Sequence, residues 1–302
     1  MMKITQIQFK FLMSHLLKIL TFIIIFSAIL SCKKVIDIEL PATDPKIVVN
    51  SFFTDNSRIK VQLSKSIGVL EGTSPDITDA SVILRENGVI IDTMYLESGD
   101  YYSHTLAEKN KDYSLEIIAP DMETVSCEDF IPEKTVLKSY MCTDSVLINE
   151  DGLAINELKL DFEDFPGPSF YEVELKANDV INNYNQGLWF EKNSDPIITS
   201  TGLLDYNPRT LIFTDKMFDG KHCSVKIYFA SNSWSDYKLT ISFRSVSESY
   251  YKYKEKQIAY LFSLDQDIFS GMSEPVNLYS NITGGYGIFA GYSSDEKVII
   301  VQ

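Results

Sequence analysis

Two groups of acidic residues have the composition of a site for a hard cation. Asp161, Glu163 and Asp164 form one group, and Asp215 and Asp219 form the other. Carboxylate oxygens are the ligands that Ca²⁺ prefers in proteins. Neither group follows a known calcium-loop pattern, and acidic residues of this kind are typical of solvated turns. The sequence therefore predicts no metal site.

Histidine, cysteine and serine do not form a catalytic pattern. His222 and Cys223 are adjacent on a predicted strand, so their side chains point to opposite faces. The sequence has no G-x-S-x-G nucleophile elbow. We therefore expect no catalytic residues, no cofactor and no enzyme activity.

Cys127 and Cys142 are close in sequence and flank a predicted domain junction. Disulfides persist in the compartments that exported proteins occupy. These two residues could therefore form a disulfide. Cys223 would then remain as a small buried apolar side chain.

Aromatic side chains are the best candidates for a binding surface. The sequence has 17 Tyr, 18 Phe and two Trp residues, most of which must fill sheet interiors. Exposed Trp and Tyr side chains also bind sugars and anchor protein partners. Trp189 and Trp234 are therefore the first candidates for contact with a ligand or a partner.

A glycine-rich phrase runs from Gly284 to Gly291 near the end of the chain. It lacks the G-x-G-x-x-G spacing of a dinucleotide site and is followed by strand residues, so it predicts a turn or bulge with positive φ. Its aromatic neighbours Tyr286 and Phe289 could form a docking surface.

Period-two alternation of apolar and polar residues predicts a mainly β, or all-β, fold for the chain after residue 45. Asn87-Gly88 between two such runs indicates a tight hairpin. Short strands at this spacing within about 90 residues are typical of an immunoglobulin-like sandwich. The strands predicted before residue 131 are 46–54, 58–66, 81–87, 88–96, 113–119 and 123–130.

The sequence predicts a second domain that starts near the proline-containing linker 131–139. Further strands are predicted at 156–164, 169–177, 188–192, 210–215, 223–230 and 237–245, with a loop at 193–208. Residues 245–267 have serine caps and apolar residues at helical spacing, which predicts one substantial helix. We therefore predict a sandwich domain at 46–133 and a β-rich domain with one helix at 134–302.

The first residues have the pattern of an export signal. Residues 1–31 contain lysines but no carboxylate, and the apolar core from Ile19 to Leu30 is too short for a transmembrane helix of about 20 residues. The phrase Ile29-Leu30-Ser31-Cys32 resembles a lipobox. Residues 1–31 are therefore predicted to be a lipoprotein signal peptide, Cys32 the acylated (palmitate-bearing) residue, and 32–45 a lipidated tether.

Charge excludes one class of partner. The chain has 27 basic and 42 acidic residues, and removal of the three lysines in residues 1–31 leaves 24 basic residues and a net charge of −18. Binding to nucleic acid phosphates needs clustered Lys and Arg. We therefore expect no nucleic acid partner, and membrane attachment through the lipid at Cys32.

Several phrases resemble a known family of Bacteroidota lipoproteins, the domain of unknown function 4249 family. The closing phrase "SEPVNLYSNITGGYGIFAGYSS" carries the most specific similarity, and residues 40–55, 160–175, 213–229 and 245–253 resemble other elements of the family. The resemblance extends from Cys32 to the end of the chain. It implies an exported lipoprotein, and it transfers no catalytic residue.

Genes of this family often lie beside those of TonB-dependent receptors. The resemblance therefore implies a non-catalytic binding or scaffold subunit, accessory to a TonB-dependent nutrient transporter at the outer membrane. The alternative is a stand-alone surface adhesin or glycan-binding lipoprotein. The sequence leaves open the ligand and whether the protein faces the periplasm or the cell surface.

Overall fold

The computed structural model describes residues 13, 15–22, 44–68, 72–179, 185–191, 195–199, 209–230, 237–265 and 276–301. The chain divides into two compact units, Met1–Thr43 and Asp44–Gln302. Residues 15–22 of the first unit are helical. None of the helices in these ranges has the length and apolar character needed to cross a membrane.

The first eight strands form a β-sandwich. They are β1 (Ile47–Thr54), β2 (Arg58–Lys65), β3 (Ser81–Glu86), β4 (Val89–Thr93), β5 (Tyr95–Glu97), β6 (Asp100–Leu106), β7 (Asp112–Ile118) and β8 (Val125–Phe130). One sheet has the order β4-β3-β7-β8, and β1, β2, β6 and β5 are neighbours in the other. Alternating residues of both sheets, such as Val49, Val61, Leu84 and Leu115, fill one hydrophobic core between them.

The remaining strands form a second β-rich region. They are β9 (Leu137–Ile148), β10 (Ala154–Glu163), β11 (Phe170–Asp179), β12 (Asn185–Gly187), β13 (Thr210–Thr214), β14 (His222–Ala230), β15 (Tyr237–Val246) and β16 (Tyr286–Val301). A three-stranded sheet, β14-β10-β9, packs against β11, β13 and β15 of the large sheet. Their shared core contains Phe162, Tyr171, Phe213 and Phe243.

The last strand continues the large sheet across both regions. Strand β16 pairs antiparallel with β15 and parallel with β1, so the sheet order is β12-β11-β15-β16-β1-β2-β6-β5. Phe289 of β16 stacks on Phe53 in the core of the sandwich, with ring centroids 4.4 Å apart. The predicted boundary between 133 and 134 stays a prediction, but the two cores lie in one compact unit.

The described residues of this unit contain two helices, the single-turn α1 (Pro196–Thr199) and α2 (Glu248–Asp265). Helix α2 begins where the sequence predicts a serine cap, because Ser247 Oγ accepts a hydrogen bond from Tyr250 N at 3.2 Å. Tyr250 packs with Val246, Ile288 and Ala290, so the first turns of α2 cover the second face of the large sheet.

The mainly β fold with an immunoglobulin-like sandwich is confirmed. Several details differ from the predictions. Strands β6, β9 and β12 were not predicted, and α1 lies within the predicted loop 193–208. Residues 88–96 divide into β4 and β5. In the described part of the predicted strand 188–192, Phe190 forms an isolated bridge with Phe229.

Candidate functional site

A cleft of about 430 Å³ lies where the end of β8, the β10–β11 turn and the end of β15 meet. Phe130 and Phe165 line it with 42% and 45% of their surfaces exposed. Pro132, Pro166 and Pro168 also line it. Two large apolar side chains and three rigid prolines make the wall of this cleft apolar and stiff.

The carboxylates at the rim of the cleft already have partners within the chain. Glu133 forms an ion pair with Lys109, and Glu248 forms one with Lys252 at 2.9 Å. Neither carboxylate is buried beside a nucleophile or a base. The arrangement therefore suits apolar contact with a ligand rather than proton transfer.

Three carboxylates hold the Pro166–Pro168 turn that forms one wall of the cleft. Gly167 N donates to Asp219 Oδ1 at 2.9 Å, and Ser169 N donates to Asp215 Oδ2 at 2.8 Å. Asp164 accepts from Tyr171 Oη and from Gly220 N. These side chains thus join the Pro166–Pro168 turn to the Asp215–Gly220 turn, about 50 residues further along the chain.

Asp164, Asp215 and Asp219 are also close enough to act together as metal ligands. Desolvation raises the pKa of Asp215, and the charges of the other two carboxylates act in the same direction. Asp164 and Asp215 are buried, so the expectation of solvated turns was wrong for these two residues, and their carboxylates accept hydrogen bonds that hold the two turns. We assign no metal to the cluster.

The glycine-rich phrase lies where the backbone of β16 passes close to the backbones of β1 and the end of β8. A Cβ on Gly287 would lie 1.9 Å from Val49 O, and one on Gly291 would lie 2.1 Å from Phe130 O. Gly284 and Gly287 have φ of 82° and 106°, so the predicted positive φ is confirmed at both. These glycines let β16 approach β1 and the end of β8.

Asn281 fixes the same crossing. Its side-chain amide donates to Phe289 O at 2.7 Å and its Oδ1 accepts from Phe289 N at 3.0 Å. Gly291 N donates to Asp129 Oδ2 at 3.1 Å, and Asp129 also accepts from Ser247 Oγ. The closing phrase therefore joins the sandwich, the last strand and the start of α2.

This phrase is also the part of the sequence that most specifically resembles a known family. A family model described as "Domain of unknown function (DUF4249)" matches residues 33–298. The chain belongs to this family. A comparison with curated proteins gives no match.

Two solved structures of surface proteins have weak similarity to this DUF4249 protein. The collagen adhesin (CNA) from S. aureus aligns over 85% of this chain and 94% of its own, with 8% identity and a TM-score of 0.21. The collagen-binding domain of Erysipelothrix rhusiopathiae surface protein RspB aligns over 83% and 96%, with 8% identity and a TM-score of 0.20. At these scores neither structure carries an argument about function.

Of the four aromatic residues that the sequence suggests for a ligand or partner surface, the three described ones differ in their exposure. Trp189 is 42% exposed, and the Arg209 guanidinium lies 4.2 Å from its ring centroid. Tyr286 is half exposed, with Lys46 Nζ 5.8 Å from its ring centroid. Phe289 is fully buried, so its assignment to a docking surface was wrong. Trp234 and Cys32 lie outside the described residues.

The predicted disulfide is not formed. Cys127, Cys142 and Cys223 are free thiols. Cys127 lies in the core of the sandwich, whereas Cys142 packs against the core of the second region. Burial raises the pKa of all three thiols, to about 12, 11 and 12 respectively, which agrees with an apolar role for Cys223.

Sequence reasoning missed the cleft and Asp129. Phe130 and Phe165 fall in phrases that were treated as a strand end and a turn, and nothing in the sequence places them together. Phe165 and the Asp215–Gly220 turn do lie in the two phrases 160–175 and 213–229 that carry the family resemblance. That resemblance was the available signal for this part of the cleft.

The buried carboxyl group of Asp129 makes the free energy of unfolding depend on pH. Its burial raises the pKa to about 6 from an ordinary value of 3.8. Because the folded-state pKa is the higher one, this contribution to stability is complete below pH 4 and is lost as the pH rises to about 6.

Asp129→Asn should therefore become more stable relative to the wild type as the pH rises from 4 to 7, by about 2 kcal/mol. The Asn side-chain oxygen can still accept the bonds from Ser247 and Gly291. Urea unfolding of both proteins across this range measures the difference. Asp129→Ala, which loses the bonds as well, should be less stable than Asp129→Asn at pH 7. A constant difference between wild type and Asp129→Asn would contradict the pKa assignment.

Proposed function

We propose that this protein is an exported lipoprotein, anchored at the outer membrane through Cys32, that acts as a non-catalytic binding subunit of a TonB-dependent nutrient transporter. The observation that carries the binding role is the apolar cleft lined by Phe130 and Phe165. Half-exposed aromatic side chains over a stiff wall suit an apolar anchor from a partner protein.

The charge of the protein supports a lipid anchor over electrostatic attachment. The chain has a formal net charge of −15, so its surface is not attracted to an anionic bilayer. Stable attachment then requires acyl chains, and two or more anchor far better than one. The lipobox phrase that ends at Cys32 provides the attachment point.

Cys32→Ala should abolish palmitate labelling and move the protein from the membrane fraction to the soluble fraction. Fractionation with labelled palmitate measures both effects. Cys127→Ala, which removes a buried thiol, is the matched control and should keep the label. A Cys32→Ala protein that remains labelled and membrane-bound would contradict the anchor.

The second candidate function is a surface adhesin or glycan-binding protein that works without a transporter. The exposed Trp189 ring beside Arg209 favours it, because such rings stack on sugars. The two functions separate on purification of the lipidated protein from detergent-solubilised outer membranes. Co-purification of a receptor barrel supports the transporter subunit. Retention on immobilised glycans that Trp189→Ala abolishes, with no barrel protein, supports the second function.

A further inference from the structure

Strand β9 is a long and exposed sheet edge. It spans 12 residues and lies at the end of the order β14-β10-β9. Residues 139–143 pair with β10, and within the described parts of the chain the backbone groups of residues 138–144 form no hydrogen bond to any other strand or loop. Met141 is 57% exposed and Ile148 is 76% exposed. Such an edge is a ready template for pairing with another strand.

Two other sheet edges of this protein, β14 and β8, are covered by its own chain. On β14, Tyr228 O accepts from Glu191 N at 2.8 Å and Lys226 O accepts from Asp195 N at 3.1 Å. On β8, Ser126 exchanges two backbone hydrogen bonds with Thr283, at 2.8 and 3.2 Å. Both edges are therefore closed to a further strand at these positions, whereas β9 offers its middle residues.

The sequence of β9 complements itself in the antiparallel direction. In the segment "KSYMCTD" (138–144), a two-fold axis at Met141 places Lys138 opposite a second Asp144 and Ser139 opposite a second Thr143. Tyr140 then faces a second Cys142, and Met141 faces its own copy. Opposite charges across a strand pair are stabilising, and like charges are destabilising.

We propose that two copies of this protein pair through β9, in the register that places Lys138 of one copy beside the partner's Asp144. The two three-stranded sheets then form one continuous six-stranded sheet. A two-fold interface of this kind uses the same patch on both copies, so every favourable pair occurs twice. The Lys138 ammonium, 2.8 Å from Glu163 of its own chain, also reaches the partner's Asp144.

Disulfide trapping tests the register directly. Opposite Cα atoms of an antiparallel pair are ~4.5–5.5 Å apart, within the range that a disulfide spans. Oxidation of the full-length, detergent-solubilised Met141→Cys protein should therefore give a covalent dimer on non-reducing gels. Lys159→Cys is the matched control, because Lys159 lies beside Met141 on β10. Three strand spacings, ~14 Å, would separate the two copies of residue 159, so no dimer should form.

Charge exchange tests the pairing without an added thiol. Asp144→Lys should raise the dimer dissociation constant, measured by sedimentation, by ~tenfold, because two like-charge pairs appear. Lys138→Asp combined with Asp144→Lys should return it to near the wild-type value. A monomeric wild type without a Met141→Cys crosslink would overturn the proposal. A dimer that is indifferent to Asp144→Lys and gives no crosslink would overturn it as well, since that dimer uses another surface.

Discussion

Replacing Gly287 with alanine should lower the free energy of unfolding by at least ~3 kcal/mol. The new Cβ would lie 1.9 Å from Val49 O, a distance that no real contact reaches, and Gly287 has φ of 106°. Relief would require β16 to move away from β1, and seven residue pairs of the parallel ladder depend on that approach. Urea unfolding of the variant and the wild type measures the loss.

Gly99→Ala is the matched control for this prediction. Gly99 has φ of 92°, close to that of Gly287, but no atom lies within 4 Å of the position its Cβ would take. It therefore shows only the backbone cost of a positive φ, ~1–2 kcal/mol. A Gly287→Ala protein that loses no more stability than Gly99→Ala would contradict the close crossing of β16 and β1.

Arg244→Met should cost ~3 kcal/mol, because it leaves a buried carboxylate without its main partner. Glu172 has a side chain only 1% exposed and forms an ion pair with Arg244. Arg244 also contacts Glu174, at 3.0 Å. The remaining partners of Glu172 are the Tyr250 hydroxyl at 2.7 Å and Lys254 at 3.8 Å. These two contacts offset part of the lost stability. We therefore expect a loss at the low end of the range that is typical when one partner of a buried ion pair is removed.

Two further variants distinguish the cost of leaving a buried carboxylate unpaired from the cost of losing an exposed ion pair. The double variant Glu172→Gln with Arg244→Met removes both charges and should recover more than half of the lost stability. Lys176→Met, which breaks an exposed pair with Glu174 at 3.2 Å, should cost less than ~1 kcal/mol. Equal losses for Arg244→Met and Lys176→Met in urea unfolding would contradict the buried network beneath α2.

The sequence predicts most strands because half-buried sheets alternate apolar and polar residues. Strand β9 was missed for the opposite reason: nearly all of its residues are exposed, so the alternation that marks a strand is absent. The start of α2 was predictable because a serine cap is a local signal. Its packing on the large sheet depends on contacts between residues far apart in sequence.

The candidate site was less predictable than the strands. Phe289 was assigned to a surface because period-two patterns do not tell which face of a strand is covered, and β16 is covered by the sandwich on the Phe289 side. The cleft depends on two turns joined by Asp215 and Asp219, whose contacts form only when the chain folds. Local sequence signals cannot supply such distant pairings.

The most direct test of the binding role is co-purification from detergent-solubilised outer membranes, with the cleft intact and with Phe130→Ala and Phe165→Ala combined. Ile90→Ala, an exposed apolar residue on β4, is the matched control. We expect a TonB-dependent receptor barrel to co-purify with the wild type and the control, and to be lost from the double variant while its Tm stays close to that of the wild type. Absence of any receptor barrel from the wild type, or equal recovery with the double variant, would contradict the proposed function of the cleft.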